Sequence, residues 1–256
     1  MTSTTAGWAA VAGMVCAAGA RAPAAVRLII DTDMSTDCDD VGAVCIANEL
    51  TAKGEANLIA VVHNTGLDTG VGAISAINDY YGRSDIPVGA YKGAFDQTVR
   101  GSYVDDLVKK FPAKISNASM APDALHVYRA ALAASPDGSV WISSIGFTTN
   151  LEALLKSGPD RNSKLNGKEL VARKVKGLAW MGGRYPASSP GTPSPEHNFG
   201  FHGIGNSTKY TFEHWPGSVP ITFLGWEIGS SIGSGGCMTK DTPVSNPCRQ
   251  ACELLI

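Results

Sequence analysis

An alternation restricts this chain more than any other feature. Short apolar, β-branched runs recur along it, each followed by a stretch with helical spacing of apolar residues. Val26 to Thr32 reads as a buried strand and Asp40 to Ala52 as a helix. Leu58 to His63 reads as a strand, Val71 to Tyr81 as a helix ending before Gly82, and Ile86 to Tyr91 as a third strand. After a less regular segment come a helix over Pro122 to Ala134, a strand over Ser139 to Ile145 and a helix over Asn150 to Ser157. Strands over Gly177 to Met181 and Ile221 to Trp226 complete the series. Strands without polar alternation must be covered on both faces, and parallel strands need crossover connections. The pattern therefore predicts an α/β fold, an open, mostly parallel Rossmann-like sheet flanked by helices. At 256 residues and 44% hydrophobic the chain can bury one sizeable core, and residues 26–256 read as a single domain.

In such sheets ligands bind beyond the carboxyl ends of the strands. Polar residues gather at those ends: Asp31 and Asp33, then His63 and Asn64, then Thr148 to Asn150, then Met181-Gly182-Gly183, then Glu227. The first of these ends is the most charged. LIIDTDMSTDCDDVGAV, residues 28–44, places five aspartates within ten positions. Like charges so close raise one another's pKa unless a cation or a proton relieves them. An EF-hand loop would need a glycine and a glutamate where Thr36 and Gly42 stand, so that reading fails. A haloacid dehalogenase-type phosphatase also opens with DxD after an apolar strand, and Asp31 with Asp33 fits it, but Ser35 stands where its threonine belongs. Capping of the next helix would use one or two of the aspartates, not five.

Charge excludes other partners. Lysine plus arginine number 21 against 23 acids, with no basic run to track a phosphate backbone, so a nucleic-acid polymer is not expected. Residues 1–25 contain no acid and hold the apolar stretch GWAAVAGMVCAAGA, too short to span a bilayer and similar to the apolar part of a secretory signal. Secretion and a cytoplasmic location both stay open. The six cysteines show no zinc spacing and read mostly as small buried thiols, with a Cys237–Cys248 disulfide open to an exported chain.

The acidic segment DTDMSTDCDDVGA resembles the calcium-binding signature of the nucleoside hydrolases, the inosine-uridine preferring family. AVVHNTG, SSIGFTTNLEALL, LAWMGG and PEHNF resemble further segments of that family, in the same order, over residues 26–230. The resemblance implies a glycosidase that uses Ca2+ and water to split ribonucleosides into ribose and free base, as in purine and pyrimidine salvage. It makes Asp33 a calcium ligand and the base that deprotonates water, Asp40 a bidentate ligand, and the Thr149 backbone carbonyl a further ligand. Asp39, Asn64, Met181, Glu196 and Asn198 would hold the ribose, with Asp31 in support. The loop is two residues longer than the usual pattern, so Asp37 can take the role given to Asp39. An anionic pocket suits an oxocarbenium-like transition state, and a hard cation with oxygen ligands suits a sugar diol.

Several readings follow from this or stand beside it. The expected partner is a small-molecule nucleoside, not a membrane, and a homo-oligomer is left open. His197, His202 and Trp180 are the candidates for protonating the leaving base. The family brings another metal-ligating aspartate from a later segment. Here Asn246 and Pro247 predict a helix starting at Cys248, which runs to Leu254-Leu255-Ile256 without a cap, so the carboxyl-terminal part is expected to be missing. Glu227 is the late carboxylate available as a substitute. The alternatives are a metal-dependent ribose binder without catalysis and, more weakly, the phosphatase.

Overall fold

The computed structural model describes residues 24–95, 103–111, 113–185, 196–200, 203–233, 235–236 and 238–255. The leader, His202 and Cys237 lie outside them. Six strands form one sheet: β1 (Val26–Thr32), β2 (Ala56–His63), β3 (Val88–Ala90), β4 (Val140–Ser144), β5 (Val175–Met181) and β6 (Ile221–Leu224). All are parallel, in the order β3-β2-β1-β4-β5-β6.

The helices are α1 (Asp39–Ala52), α2 (Gly70–Tyr80), α3 (Tyr103–Lys110), α4 (Ala124–Ala133), α5 (Thr149–Lys156) and α6 (Gly167–Lys174). They continue with α7 (His197–Gly200), α8 (Gly205–His214), α9 (Trp226–Gly229), α10 (Met238–Asp241) and α11 (Pro247–Leu255). No helix among the described residues is long and apolar enough to cross a membrane. Alternation along the strands separates two cores. Ile30 and Val61 face the layer formed with α1, α2, α3 and α11, whereas Ile29 and Val62 face the layer formed with α4, α5 and α6.

The expected strands are all present, with shifted ends. Among the described residues six helices stand where no helix was read: α3 inside the less regular segment, α6, α8 and the short α7, α9 and α10, with α9 beginning at Trp226 where the last strand was expected to end. The predicted helix start near Cys248 is observed, with Asn246 Oδ1 accepting from the Cys248 amide at 2.8 Å. The cysteines depart from the expectation of isolated thiols. Cys45 on α1 is joined to Cys248 on α11, which removes Cys248 from any pairing with Cys237.

Chain order sets the site. From β1 the sheet grows outward through β2 and β3; the chain then returns to the other side of β1 and grows through β4, β5 and β6. The reversal lies between β1 and β4, where adjacent strands send their connections to opposite faces and a crevice opens at their carboxyl ends.

Candidate active site at the β1–β4 switch point

Asp31 pairs with Ser144 across β1 and β4, and Thr32 pairs with His63 across β1 and β2, so these strands end at one level. The loops that follow then converge. A methyl placed on Gly146, just past β4, would fall 2.4 Å from Asp33 Oδ1 and 2.6 Å from the Asp33 amide nitrogen. Only a residue without a side chain lets the β4 loop lie this close against Asp33. Asp33 and Asp40 are nearly buried, at 8% and 2% exposure, and Asp31 is fully buried.

Asp31 is a hub. Its Oδ1 accepts from the side-chain amides of Asn64 at 3.0 Å and Asn150 at 2.9 Å, and its Oδ2 from the Tyr128 hydroxyl at 2.9 Å. One carboxylate thereby ties the ends of β1 and β2 to α5 and α4. Burial is nevertheless the dominant influence and lifts its pKa from 3.8 to about 7, against the lowering effect of those donors.

The acidic loop carries the same tension further. Asp40 is raised well above the usual carboxylate range, first by desolvation and then by the charges of Asp33 and Asp39. Thr32 Oγ1 donates to Asp40 Oδ1 and partly offsets this. Asp39, at the open rim, is lifted to about 6 by desolvation and then by Asp37. The loop's shape is held from outside by Tyr103 on α3, whose hydroxyl donates to the Asp37 carbonyl at 2.6 Å. His63 holds it from below, with Nε2 3.2 Å from the Met34 carbonyl oxygen.

Carboxylate oxygens of Asp37, Asp39 and Asp40 lie within 4.8 Å of one another. Two oxygens sharing a calcium ion at about 2.3–2.6 Å each can be no more than about 5 Å apart, so this spacing and the all-oxygen donor set fit a hard divalent cation. The triad includes the expected ligand Asp40. It contains Asp37 and Asp39 in place of Asp33, which stands on the inner side beside Gly146. Thr149, 6% exposed at the start of α5, donates from Oγ1 to the Asn64 carbonyl.

A second group of expected residues lies past β5. Glu196 accepts from three backbone amides: Gly183 at 2.6 Å and Phe199 at 3.1 Å on Oε2, and Asn198 at 3.0 Å on Oε1. The Asn198 side-chain amide reaches the Met181 sulfur at 3.0 Å, so Met181, Glu196 and Asn198 form one unit. Positive φ at Gly182 and Gly183 makes the turn that brings this unit over the end of β5. The Phe147 and His197 rings, 5.4 Å between centroids, link it to the β4 loop.

Three further residues have defined surroundings. Asn64, expected to hold the ribose, is fully buried; its amide donates to Asp31 and its oxygen accepts from the Phe147 amide at 3.3 Å. Trp180, one of the candidates for meeting the leaving base, is fully buried and its ring packs on Phe199, Phe212 and Phe223. Glu227 accepts from the Tyr185 amide at 3.0 Å and is not part of the acidic triad. Reading the sequence missed Gly146, Tyr103 and Tyr128. A glycine directly after a strand that must meet an acidic loop was the signal for the first, while nothing local marks the two tyrosines.

A family model described as inosine-uridine preferring nucleoside hydrolase matches residues 28–243. The chain is similar to the type III effector protein XopQ complexed with adenosine diphosphate ribose, with TM-score 0.68 and 19% identity over 92% of this chain and 66% of that one. It is similar to the plant nucleoside hydrolase PpNRh1, with TM-score 0.62 and 20% identity over 90% of this chain and 70% of that one. A third similar structure is the inosine-uridine preferring nucleoside hydrolase from Bacillus anthracis, with TM-score 0.63 and 15% identity over 90% and 76%. At these identities the likeness carries the fold. The chain spans just under two thirds of the effector's length, and no curated protein matches it.

Proposed function

The chain belongs to the inosine-uridine preferring nucleoside hydrolase family, and from that premise we propose that it hydrolyses the N-glycosidic bond of ribonucleosides, releasing ribose and free base. The observation that carries this reading is the contact of Asp33 with Gly146. It sets a buried carboxylate at the sheet's switch point, beside an acidic loop whose spacing suits a divalent cation.

The family is generally metal-dependent, and we assign Ca2+ to this site. Asp40 would hold it with Asp33, the Thr149 carbonyl and the Asp37–Asp39 pair. When bound, Ca2+ supplies a positive centre that relieves the mutual repulsion of these groups and grips vicinal hydroxyls.

The remaining steps belong to the chain's own residues. Asp33, nearly buried and backed by Gly146, takes the proton from the attacking water. Asp39, on the rim, accepts a ribose hydroxyl. Met181 supplies the apolar contact beneath the sugar, while Glu196 and Asn198 fix the far side of the pocket. As the bond to the base lengthens, positive charge develops on the ribose, and the surrounding carboxylates stabilise it. To His197, exposed beside Phe147, we assign the contact with the leaving base.

Family membership leaves the phosphatase without support. Binding without turnover remains the second reading, favoured by the ADP-ribose held in the similar effector structure. Free ribose should be followed on a panel of ribonucleosides, 2′-deoxyribonucleosides and ADP-ribose, with and without chelator. Turnover of ribonucleosides that chelator removes supports the enzyme. Saturable binding without turnover on any substrate overturns it in favour of the binder.

A further inference from the structure

A groove between α1 and the carboxyl-terminal region is lined by twelve residues, among them Val41 and Met238. Four of the twelve are cysteines: Cys38, Cys45, Cys248 and Cys252. Cys45 and Cys248 are already joined, whereas Cys38 and Cys252, both half-buried, have their sulfurs 3.6 Å apart. The spacing is ordered. Cys38 and Cys45 are seven residues apart, two turns along one side of α1 and its N-cap, and Cys248 and Cys252 are four apart on one side of α11. Cys38 faces Cys252 while Cys45 faces Cys248, the pairing required of two antiparallel helix faces.

We propose that Cys38 and Cys252 form a second disulfide, so that two covalent rungs tie α11 to α1 and the outer rung fixes the acidic loop through its own middle residue. With the inner rung closed, the outer rung bounds only a small ring, residues 38–45 and 248–252, so its effect is local. Cys38 lies between Asp37 and Asp39, and the Asp37 carbonyl is held on its other side by Tyr103. Closing the rung therefore adds a covalent anchor at the centre of the loop to the hydrogen bonds it has from Tyr103 and His63, and opening it leaves only those bonds and that from Thr32 to Asp40.

The oxidant is a low-molecular-weight disulfide such as oxidised glutathione. One protein sulfur displaces a small thiol from it to give a mixed disulfide. The other protein sulfur then attacks the protein-bound sulfur and releases the second small thiol. Both cysteine protons end on the released thiols, and the small disulfide is reduced as the protein is oxidised. Where the loop's order bears on cation binding, the inference rests on the metal reading above.

The test uses the whole chain and neither catalysis nor a cation. After equilibration in a glutathione redox buffer, free thiols are alkylated and disulfide-linked peptides mapped by mass spectrometry. Amide hydrogen exchange over residues 36–41 is then compared between wild type and Cys252→Ser, which keeps the inner rung. The expected result is a Cys38–Cys252 linked peptide, and loop exchange about tenfold slower in wild type than in the variant. Alkylation of both Cys38 and Cys252, pairing of either with Cys16 or Cys237, or equal loop exchange in the two proteins overturns the inference. A failure of nucleoside hydrolysis would show in the ribose assay and leave these readouts unchanged.

Discussion

Asp33 lies so tightly against Gly146 that a single methyl tests the site. In Gly146→Ala the new carbon would sit 2.4 Å from Asp33 Oδ1, and the carboxylate must move. A displacement of about 1 Å at a reacting group costs on the order of 10²-fold, so kcat/KM should fall by about that factor while the circular dichroism spectrum is kept. Asp33→Ala removes the proposed base outright, and kcat should fall by about 10²–10⁴. Unchanged turnover in either variant would remove Asp33 from the chemistry. The aspartates were legible as a cluster because nothing else in an apolar strand end explains them. The division of labour among them was not, because it depends on what each carboxylate meets: Asp31 meets three donors, Asp33 a glycine, and Asp40 a threonine and three acids.

The strands that carry the site were found from sequence alone, whereas α3 and α7, which bring Tyr103, His197 and Asn198, were not. β1, β2 and β4 have apolar middles, Leu28–Ile30, Leu58–Val62 and Val140–Ile142, because both faces of the sheet are covered there, and their shortness and β-branched residues favour strand over buried helix. α6 and α3 were missed for the opposite reason. GKELVARK and YVDDLVKK are only eight residues each and half of each is charged, too short to stand out although α3 buries Tyr103, Val104 and Leu107 at helical spacing. α6 still left a trace: Asn166 and Glu169 form a reciprocal capping box, a local signal at the right spacing. α3 matters to the loop through Tyr103. Tyr103→Phe removes the donor to the Asp37 carbonyl, a bond of about 1 kcal/mol, and should weaken cation affinity roughly fivefold with little change in melting temperature. Farther from the site, Arg129 is 2% exposed and binds Asp160, Ser157 Oγ and the Ser163 and Leu165 carbonyls, fastening the segment between α5 and α6 to α4. It holds Asp160 well below the usual carboxylate range. Arg129→Ala leaves these acceptors unanswered and should cost about 3 kcal/mol in denaturant unfolding, without altering KM.

For the whole molecule, the buried acids make stability depend on pH in an unusual direction. Asp31 rises from 3.8 to about 7 and Asp39 from 3.8 to about 6 in the folded chain, and Asp40 is also raised well above the usual carboxylate range. Between about pH 4 and pH 7 the folded protein therefore binds more protons than the unfolded one. Their contribution is most favourable below pH 4 and is lost as pH rises towards 7, at up to about 1.4 kcal/mol per pH unit for each proton. Metal-free protein should accordingly melt at a higher temperature at pH 5 than at pH 8, and added Ca2+ should raise the melting temperature more at pH 8. A melting temperature that rose steadily with pH without cation would contradict this. The central claim is that this acidity exists to hold one divalent ion at the sheet's switch point. Calorimetric titration of Ca2+ into metal-free protein and into Asp40→Asn tests it most directly. The account predicts one saturable site in the wild type and its loss in the variant; absence of a site in the wild type, or identical isotherms in the two proteins, would contradict it.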